Sequence, residues 1–98
     1  MNMQQIMQQA QKMQRDIQKK KEVLDATIFD GKSEWVEVVY YGSKKIKSVK
    51  ILKDSVSDRD DLDMLEDMIN VAIKDAFKKI DAATEREMGQ YASMSGLL

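Results

Sequence analysis

Residues 62–91 read LDMLEDMINVAIKDAFKKIDAATEREMGQY, and this stretch decides the fold. Its apolar residues recur every three or four positions, the period of a helix with one apolar face. No proline interrupts the run, so the stretch predicts a single helix about 45 Å long. A helix of that length cannot bury its whole apolar face within a chain of 98 residues. Part of the face is therefore predicted to form the core and part to contact a second copy. The predicted core and dimer residues are Leu62, Leu65, Ile69, Ala72, Ile73, Ala76, Phe77 and Ile80, and Ala83 continues the face.

An earlier helix is predicted from about Asn2 to Val23. Glutamine and lysine, both good helix formers, fill most of its positions. Its methionines are interpreted as adaptable packing residues. Its apolar residues follow a heptad-like seam, which consists of Met3, Ile6, Ala10, Met13, Ile17 and Leu24.

Three strands are predicted between the two helices. The first ends near Phe29, because Asp30–Ser33 is a cluster of turn-forming residues. The second is Trp35–Tyr41, and Gly42-Ser43 is interpreted as a two-residue hairpin turn. The third is Lys45–Lys53, where the apolar positions do not alternate cleanly. A β-bulge, or a strand covered on both faces, would account for that irregularity.

The predicted fold is therefore α+β, in the order α-β-β-β-α. A three-stranded antiparallel sheet and two long helices form a single domain over residues 1–98, with a flexible tail at 92–98. Both edges of such a sheet are open to pairing. Pairing of sheet edges and packing of the long helices are predicted to produce a homodimer.

The residues most often used for catalysis and metal binding are absent. The chain has no histidine and no cysteine, which removes the usual general base, the commonest metal ligand and thiolate chemistry. The acidic residues between Asp58 and Asp63 lack the glycine and the final glutamate of a calcium loop. They are interpreted as helix-capping residues on an acidic surface. We therefore expect no enzymatic activity, no metal, no cofactor and no small-molecule substrate.

The N-terminal sequence MNMQQIMQQAQKMQ has no apolar run long enough for a signal peptide or a membrane span. The absence of cysteine is typical of proteins in a reducing compartment. We therefore expect a cytoplasmic protein without a membrane partner.

Charges are divided into blocks, although the net charge is only −1. Residues 1–22 carry five cations and two acids, residues 43–53 five lysines and no acid, and residues 54–67 seven acids and one arginine. A basic patch acts locally, over a Debye length of about 8–10 Å. Two alternatives remain open for the basic residues, namely a solvated helix face and protection of an edge strand by lysine. Charge placement alone makes six residues candidates for phosphate contacts: Lys12, Arg15, Lys19, Lys44, Lys45 and Lys47.

Several stretches together resemble one known family, the YbaB/EbfC nucleoid-associated proteins. The opening QQIMQQAQKMQ resembles the first helix of that family, and WVEVVYY, Gly42 and KIKSVKI resemble its hairpin. LEDMINVAIKDAFKKI, residues 65–80, resembles its last helix. The sequence departs from the family pattern at Glu34, where a small residue is usual, and in the tail, which is poorer in glycine.

The resemblance implies a homodimer that binds double-stranded DNA, alters its conformation and associates with the nucleoid in the cytoplasm. It implies no enzymatic activity and no cofactor, and it assigns no individual DNA-contacting residue. A dimeric adaptor that binds a protein and not DNA is the alternative.

Overall fold

The computed structural model describes residues 2–91, and it has the predicted α-β-β-β-α order. The predicted flexible tail, residues 92–98, lies outside the described residues. A short 3₁₀ turn, Gly89–Tyr91, follows the last helix. The helices and strands are α1 (Met3–Ala26), β1 (Ile28–Lys32), β2 (Val36–Tyr41), β3 (Ile46–Ile51) and α2 (Arg59–Met88).

Side chains at the ends of α1 define where that helix starts and stops. The Asn2 side chain accepts a hydrogen bond from the Gln5 amide at 2.9 Å, as an N-cap residue does. At the other end, the Thr27 hydroxyl donates to the Val23 carbonyl at 2.7 Å, and the Thr27 amide donates to the Leu24 carbonyl. These bonds satisfy carbonyls of the last turn, so α1 continues three residues beyond the predicted end at Val23.

The start of α2 confirms the capping interpretation for two of the acidic residues. Asp58 is the N-cap, and its side chain accepts the Asp61 amide at 2.9 Å. The Asp61 carboxylate in turn accepts both the amide and the hydroxyl of Ser57 at 3.2 Å. The bond to Asp58 satisfies an amide of the first turn that has no partner within the helix, and the bonds to Ser57 tie the preceding residue to the start of the helix. From this start α2 runs without interruption for 30 residues.

The core lies between one face of the sheet and α2. The sheet is antiparallel in the order β1-β2-β3. Alternate residues of the central strand, Val36, Val38 and Tyr40, are buried. They form one cluster with three buried residues of α2, namely Ala72, Ala76 and Ile80.

The predicted end of the first strand is wrong. The strand does not end near Phe29 but runs to Lys32, and Gly31 pairs with Val38 inside the ladder. A Cβ atom at Gly31 would overlap the Ala72 carbonyl oxygen and would lie 2.6 Å from the Ala76 amide nitrogen. Glycine is therefore needed here because the backbones of β1 and α2 approach each other closely. A turn-forming residue in the sequence is a packing residue in the fold.

The hairpin between β2 and β3 is longer than the predicted two-residue turn. Tyr41 bonds across the loop to Lys45, and the Lys44 amide donates to the Tyr41 carbonyl, so the loop is Gly42–Lys44. Lys44 has a φ of 70°, which is the left-handed residue that such three-residue loops require. The predicted bulge is confirmed, since the register shifts between Val39 and Tyr40 and leaves Lys47 as the extra residue. The alternative of a strand covered on both faces is wrong, because all of β3 is exposed.

The chain is elongated, with extents of 71 × 20 × 15 Å and a radius of gyration of 19.5 Å. A compact chain of this length would have a radius of gyration of about 13 Å. The first half of α1 accounts for much of the difference, because every residue from Asn2 to Lys12 is exposed. Only the second half of α1 packs against the rest of the chain, through Ile17 and Leu24.

Candidate nucleic-acid interface

The candidate cations of α1 form one exposed row. Ile17 is buried against Ala83 and Met88, so it fixes which side of α1 faces the rest of the chain. At 100° per residue, Lys12, Arg15 and Lys19 point about 140–160° away from Ile17. All three are exposed, and none forms an ion pair within residues 2–91. The row therefore offers three positive charges without an ion-pair partner over about 10 Å of helix, beside the exposed Asp16.

The candidate cations of the hairpin are not equivalent. The Lys44 ammonium forms an ion pair with the Asp81 carboxylate at 3.2 Å and lies 5.1 Å from the centre of the Phe77 ring. Lys45 and Lys47 are exposed and have no acidic partner in the described part of the chain. Lys44 thus holds the hairpin to α2, while Lys45 and Lys47 remain available to a ligand.

Backbone contacts bring the hairpin to the C-terminal end of α1. The Gly42 amide donates to the Thr27 carbonyl at 2.8 Å, and the Ser43 amide donates to the Asp25 carbonyl at 3.3 Å. A Cβ atom at Gly42 would overlap the Leu24 carbonyl oxygen. At 1.5 Å per residue, the row of α1 lies about 9–20 Å along the helix from this junction. The two basic groups therefore belong to one continuous part of the molecule but do not form a single cluster.

Other lysines were not among the six candidates. Lys74 and Lys78 on α2 are exposed and unpaired within residues 2–91. Lys53 lies 4.3 Å from the centre of the Trp35 ring, and Lys20 lies 5.4 Å from that of Tyr91. Helical spacing alone places Lys74 and Lys78 on the side of α2 away from its apolar face, whereas nothing in the sequence signals the two ring contacts.

The acidic residues of the block 54–67 lie far from the row on α1. They surround the start of α2, whereas α1 packs against Ala83 and Met88 near the end of α2. From Asp61 to Ala83 the helix rises about 33 Å, which is several Debye lengths at physiological ionic strength. Arg59 also neutralises part of this surface, through Asp63 at 3.0 Å and Glu66 at 3.7 Å. The acidic block of residues 54–67 is therefore separated from the row in space as well as in sequence, whereas Asp16 lies beside the row on α1.

Residues of the predicted core and dimer face of α2 have different environments. Ala72, Ala76 and Ile80 are buried, while Leu65, Ile69, Ile73 and Phe77 are half-buried against them. Leu62 is 43% exposed. Met68, which the prediction omitted, also packs on the core. The end of the face near Leu62 is thus open in the single chain.

Two polar side chains of α2 cover the outer edge of β1. The Lys32 amide donates to the Asp75 carboxylate at 3.0 Å, and the Lys79 ammonium donates to the Asp30 carbonyl at 2.9 Å. Lys79 also lies 3.6 Å from the Asp75 carboxylate. The Lys32 amide, with help from the Lys79 charge, lowers the pKa of the Asp75 carboxyl below its ordinary value of 3.8, against the opposing effect of burial.

The opposite edge, β3, has no such cover. All six of its residues are exposed, and no side chain in residues 2–91 bonds to their backbone. Ile46, Val49 and Ile51 pair with Tyr40, Val38 and Val36, so they share the apolar face of the sheet. They are nevertheless 53%, 50% and 50% exposed.

Neither a metal site nor a membrane span is found among the described residues. No group of three or more acidic side chains in residues 2–91 is arranged to hold a metal ion. None of the helices within this range is long and apolar enough to cross a bilayer.

Comparisons with known proteins find relatives that match nearly the whole chain. The profile of the YbaB/EbfC DNA-binding family matches residues 1–95. A nucleoid-associated protein of Ligilactobacillus salivarius is 39% identical over 94 residues, which cover 94% of this chain and 89% of the relative. A nucleoid-associated protein of Streptococcus agalactiae is 44% identical, with 94% of each chain covered. One from Lactobacillus acidophilus is 42% identical over 93% of this chain and 83% of the relative. The chain therefore belongs to the YbaB/EbfC DNA-binding family.

Proposed function

We propose that this chain is a homodimeric nucleoid-associated protein that binds duplex DNA mainly through phosphates and alters its conformation. The observation that carries the proposal is the row of Lys12, Arg15 and Lys19 on α1. The row is exposed, forms no ion pair within residues 2–91 and lies opposite the side of α1 that packs on α2. Phosphate binding needs cations at suitable spacing and no base-reading motif. A member of a DNA-binding family that carries such a row has a direct means of holding the duplex.

Charge separation supports the same proposal. The acidic start of α2 lies about 33 Å along that helix from the region that holds α1, so it does not cancel the field of the row. Lys45 and Lys47 add cations near the other end of α1. Sequence preference is expected to be weak, since phosphate contacts carry no base information, and any preference should follow DNA deformability.

The dimer is proposed to form through β3 and the apolar surface beside it. The half-exposed Ile46, Val49 and Ile51 continue the apolar face of the sheet beyond the cover of α2. Pairing β3 with β3 of a second copy would satisfy its free backbone groups and bury these side chains. The open end of the α2 face near Leu62 would be covered in the same contact.

Two copies would present two rows of cations related by a twofold axis. A duplex that touches both rows has to follow their relative orientation, which is how binding would alter its conformation. The relatives are named nucleoid-associated proteins, and we propose the same location, in the cytoplasm, for this chain.

A gel-shift titration of mixed-sequence duplex DNA at several salt concentrations tests DNA binding. Changing Lys12, Arg15 and Lys19 together to glutamine removes three cations from each copy. The slope of log affinity against log salt should then decrease by up to about 5. The matched control exchanges Lys12→Arg, Arg15→Lys and Lys19→Arg, which keeps every charge and should leave the slope unchanged. Equal slopes for wild type and the glutamine variant would rule out this row as the DNA surface.

Sedimentation equilibrium tests the dimer. Val49→Asp places a charge on the open face of β3, where half of the side chain is already exposed, so the single chain should still fold. This variant should sediment as a monomer, whereas Val23→Asp, at an exposed position on α1, should retain the mass of the wild type. A wild-type protein that sediments as a folded monomer would refute the dimer.

A dimeric adaptor for another protein is the second candidate, because the exposed apolar side chains of β3 would also suit a protein partner. Wild-type protein that fails to shift DNA even at low salt would favour the adaptor over the DNA-binding function.

A further inference from the structure

The two edges of the sheet differ in whether side chains form hydrogen bonds with their outward backbone groups. Bonds from Gly42 to Thr27 and from Ser33 to Val36 turn Thr27 and Ser33 toward β2. Because alternate residues of an antiparallel strand point their amides and carbonyls to opposite sides, Asp30 and Lys32 turn outward. The outward Asp30 carbonyl and Lys32 amide are the two groups bonded by Lys79 and Asp75. The backbone of β3 receives no side-chain bond from residues 2–91.

We propose that Asp75 and Lys79 act as an edge guard, which closes β1 to strand pairing and confines self-association of this chain to the β3 edge. The partner that the guard excludes is the β-strand of a further copy. This inference rests on the proposed homodimer for the identity of the allowed contact, while the guard itself rests on the observed bonds.

A second strand at β1 would have to displace both side chains. Asp75 and Lys79 are one helical turn apart on α2, so both reach the same short stretch of the edge. An incoming strand would take the positions of their carboxylate and ammonium groups, and both groups would lose their hydrogen bonds to the β1 backbone. No comparable loss opposes pairing at β3.

Guarding one edge decides the size of the assembly. A sheet with two open edges can add copies at both ends and grow without limit, whereas a sheet with one open edge closes after two copies pair through a twofold axis. The guard would therefore permit a dimer and prevent a filament or aggregate. Such control is useful for a protein whose β3 edge is long, exposed and partly apolar.

The test compares the mass of wild type with that of Asp75→Ala/Lys79→Ala by sedimentation velocity over a range of concentrations. The double change preserves net charge, and water can replace the lost bonds because both lie at the surface. The variant should form species at least about twofold heavier than wild type, and their fraction should rise with concentration. The control Asp67→Ala/Lys74→Ala changes one acid and one base on exposed positions of α2 and should keep the wild-type mass.

A rescue separates edge pairing from nonspecific aggregation. Adding Lys32→Pro to the double variant removes the outward amide itself, at an edge position where proline breaks no ladder bond. The mass should return to that of wild type. Circular dichroism shows whether each variant is folded. If the double variant is unfolded, the mass of Lys79→Ala alone is measured in its place.

The outcomes distinguish the guard from the dimer. A folded Asp75→Ala/Lys79→Ala variant with the mass of wild type at every concentration would overturn the guard, as would heavier species that persist after Lys32→Pro. A monomeric wild type would refute the proposed dimer. In that case a mass of Asp75→Ala/Lys79→Ala greater than that of wild type would still support the guard, and an equal mass would overturn it.

Discussion

Replacing Gly31 by alanine should destabilise the fold strongly, although it adds a single methyl group. The added Cβ would overlap the Ala72 carbonyl oxygen and would lie 2.6 Å from the Ala76 amide nitrogen and 2.7 Å from the Ala76 Cβ. Two of these three neighbours are backbone atoms inside a continuous helix, so they cannot move aside as a flexible side chain would. Either β1 or α2 has to shift as a unit.

Overpacking of a rigid core typically costs about 1–3 kcal/mol. We expect Gly31→Ala to reach at least the upper end of that range, because the clash is with backbone. Truncating Ala76 to glycine in the same variant should relieve only part of the loss, since the overlap with Ala72 remains. For a chain of this size, about 3 kcal/mol corresponds to a fall in Tm of roughly 12–24 °C.

Gly89→Ala is the matched control. Gly89 has ordinary helical φ and ψ angles of −59° and −33°, and its added Cβ would meet the side-chain carboxylate of Glu85 at 2.8 Å. That carboxylate can rotate away, so the variant should be neutral or more stable by up to about 1 kcal/mol. Urea unfolding at one fixed protein concentration measures both, because the stability of a dimer depends on concentration. Equal stabilities of Gly31→Ala and Gly89→Ala would refute the argument from close approach.

Three further predictions concern the core, the edge and a hydroxyl. Ile80→Ala should lower the free energy of unfolding by about 2–5 kcal/mol because Ile80 is 1% exposed. Val71→Ala, at a position 51% exposed, should change that free energy by less than about 0.5 kcal/mol. Equal free energies for the two variants in urea unfolding would contradict the assignment of the core. The pKa of Asp75 is lowered in the folded chain, so its stabilising contribution is present above pH 3.8 and is lost as the pH falls through the lower folded value. When the free energy of unfolding is measured from neutral pH to below pH 3.8, it should therefore fall more steeply for wild type than for Asp75→Asn. Parallel plots of that free energy against pH would contradict this prediction. Ser33→Ala should be neutral or slightly stabilising, because the Ser33 hydroxyl is buried without a hydrogen-bond partner in the described part of the chain, and a loss above about 1 kcal/mol on unfolding would show that it has one.

Much of the candidate DNA surface could be predicted from helical spacing. Lys12, Arg15 and Lys19 recur at intervals of three and four, so they share one side of any helix that contains them. The structure adds the reason that this side faces solvent, since Ile17 is buried on the opposite side. For Lys44 the spacing carried no comparable information, because its partner Asp81 is distant in sequence.

Boundaries were less predictable where packing overrides local preference. Asp30, Gly31 and Lys32 are typical turn residues, yet they form the second half of β1. Gly31 is needed there because α2 approaches the strand, and that approach exists only in the assembled fold.

By itself, the sequence determined the order of the elements, the apolar face of the long helix, the capping role of the acidic residues before it and the separate basic and acidic blocks. Each of these depends on residues that are close in the chain, through helical period, capping bonds or local composition. Only the tertiary structure decided which edge of the sheet is closed. The bond from the Lys32 amide to Asp75 joins residues 43 positions apart, and that from Lys79 to the Asp30 carbonyl joins residues 49 apart. Contacts over such separations follow from how α2 lies on β1, and no local pattern of residues encodes that placement.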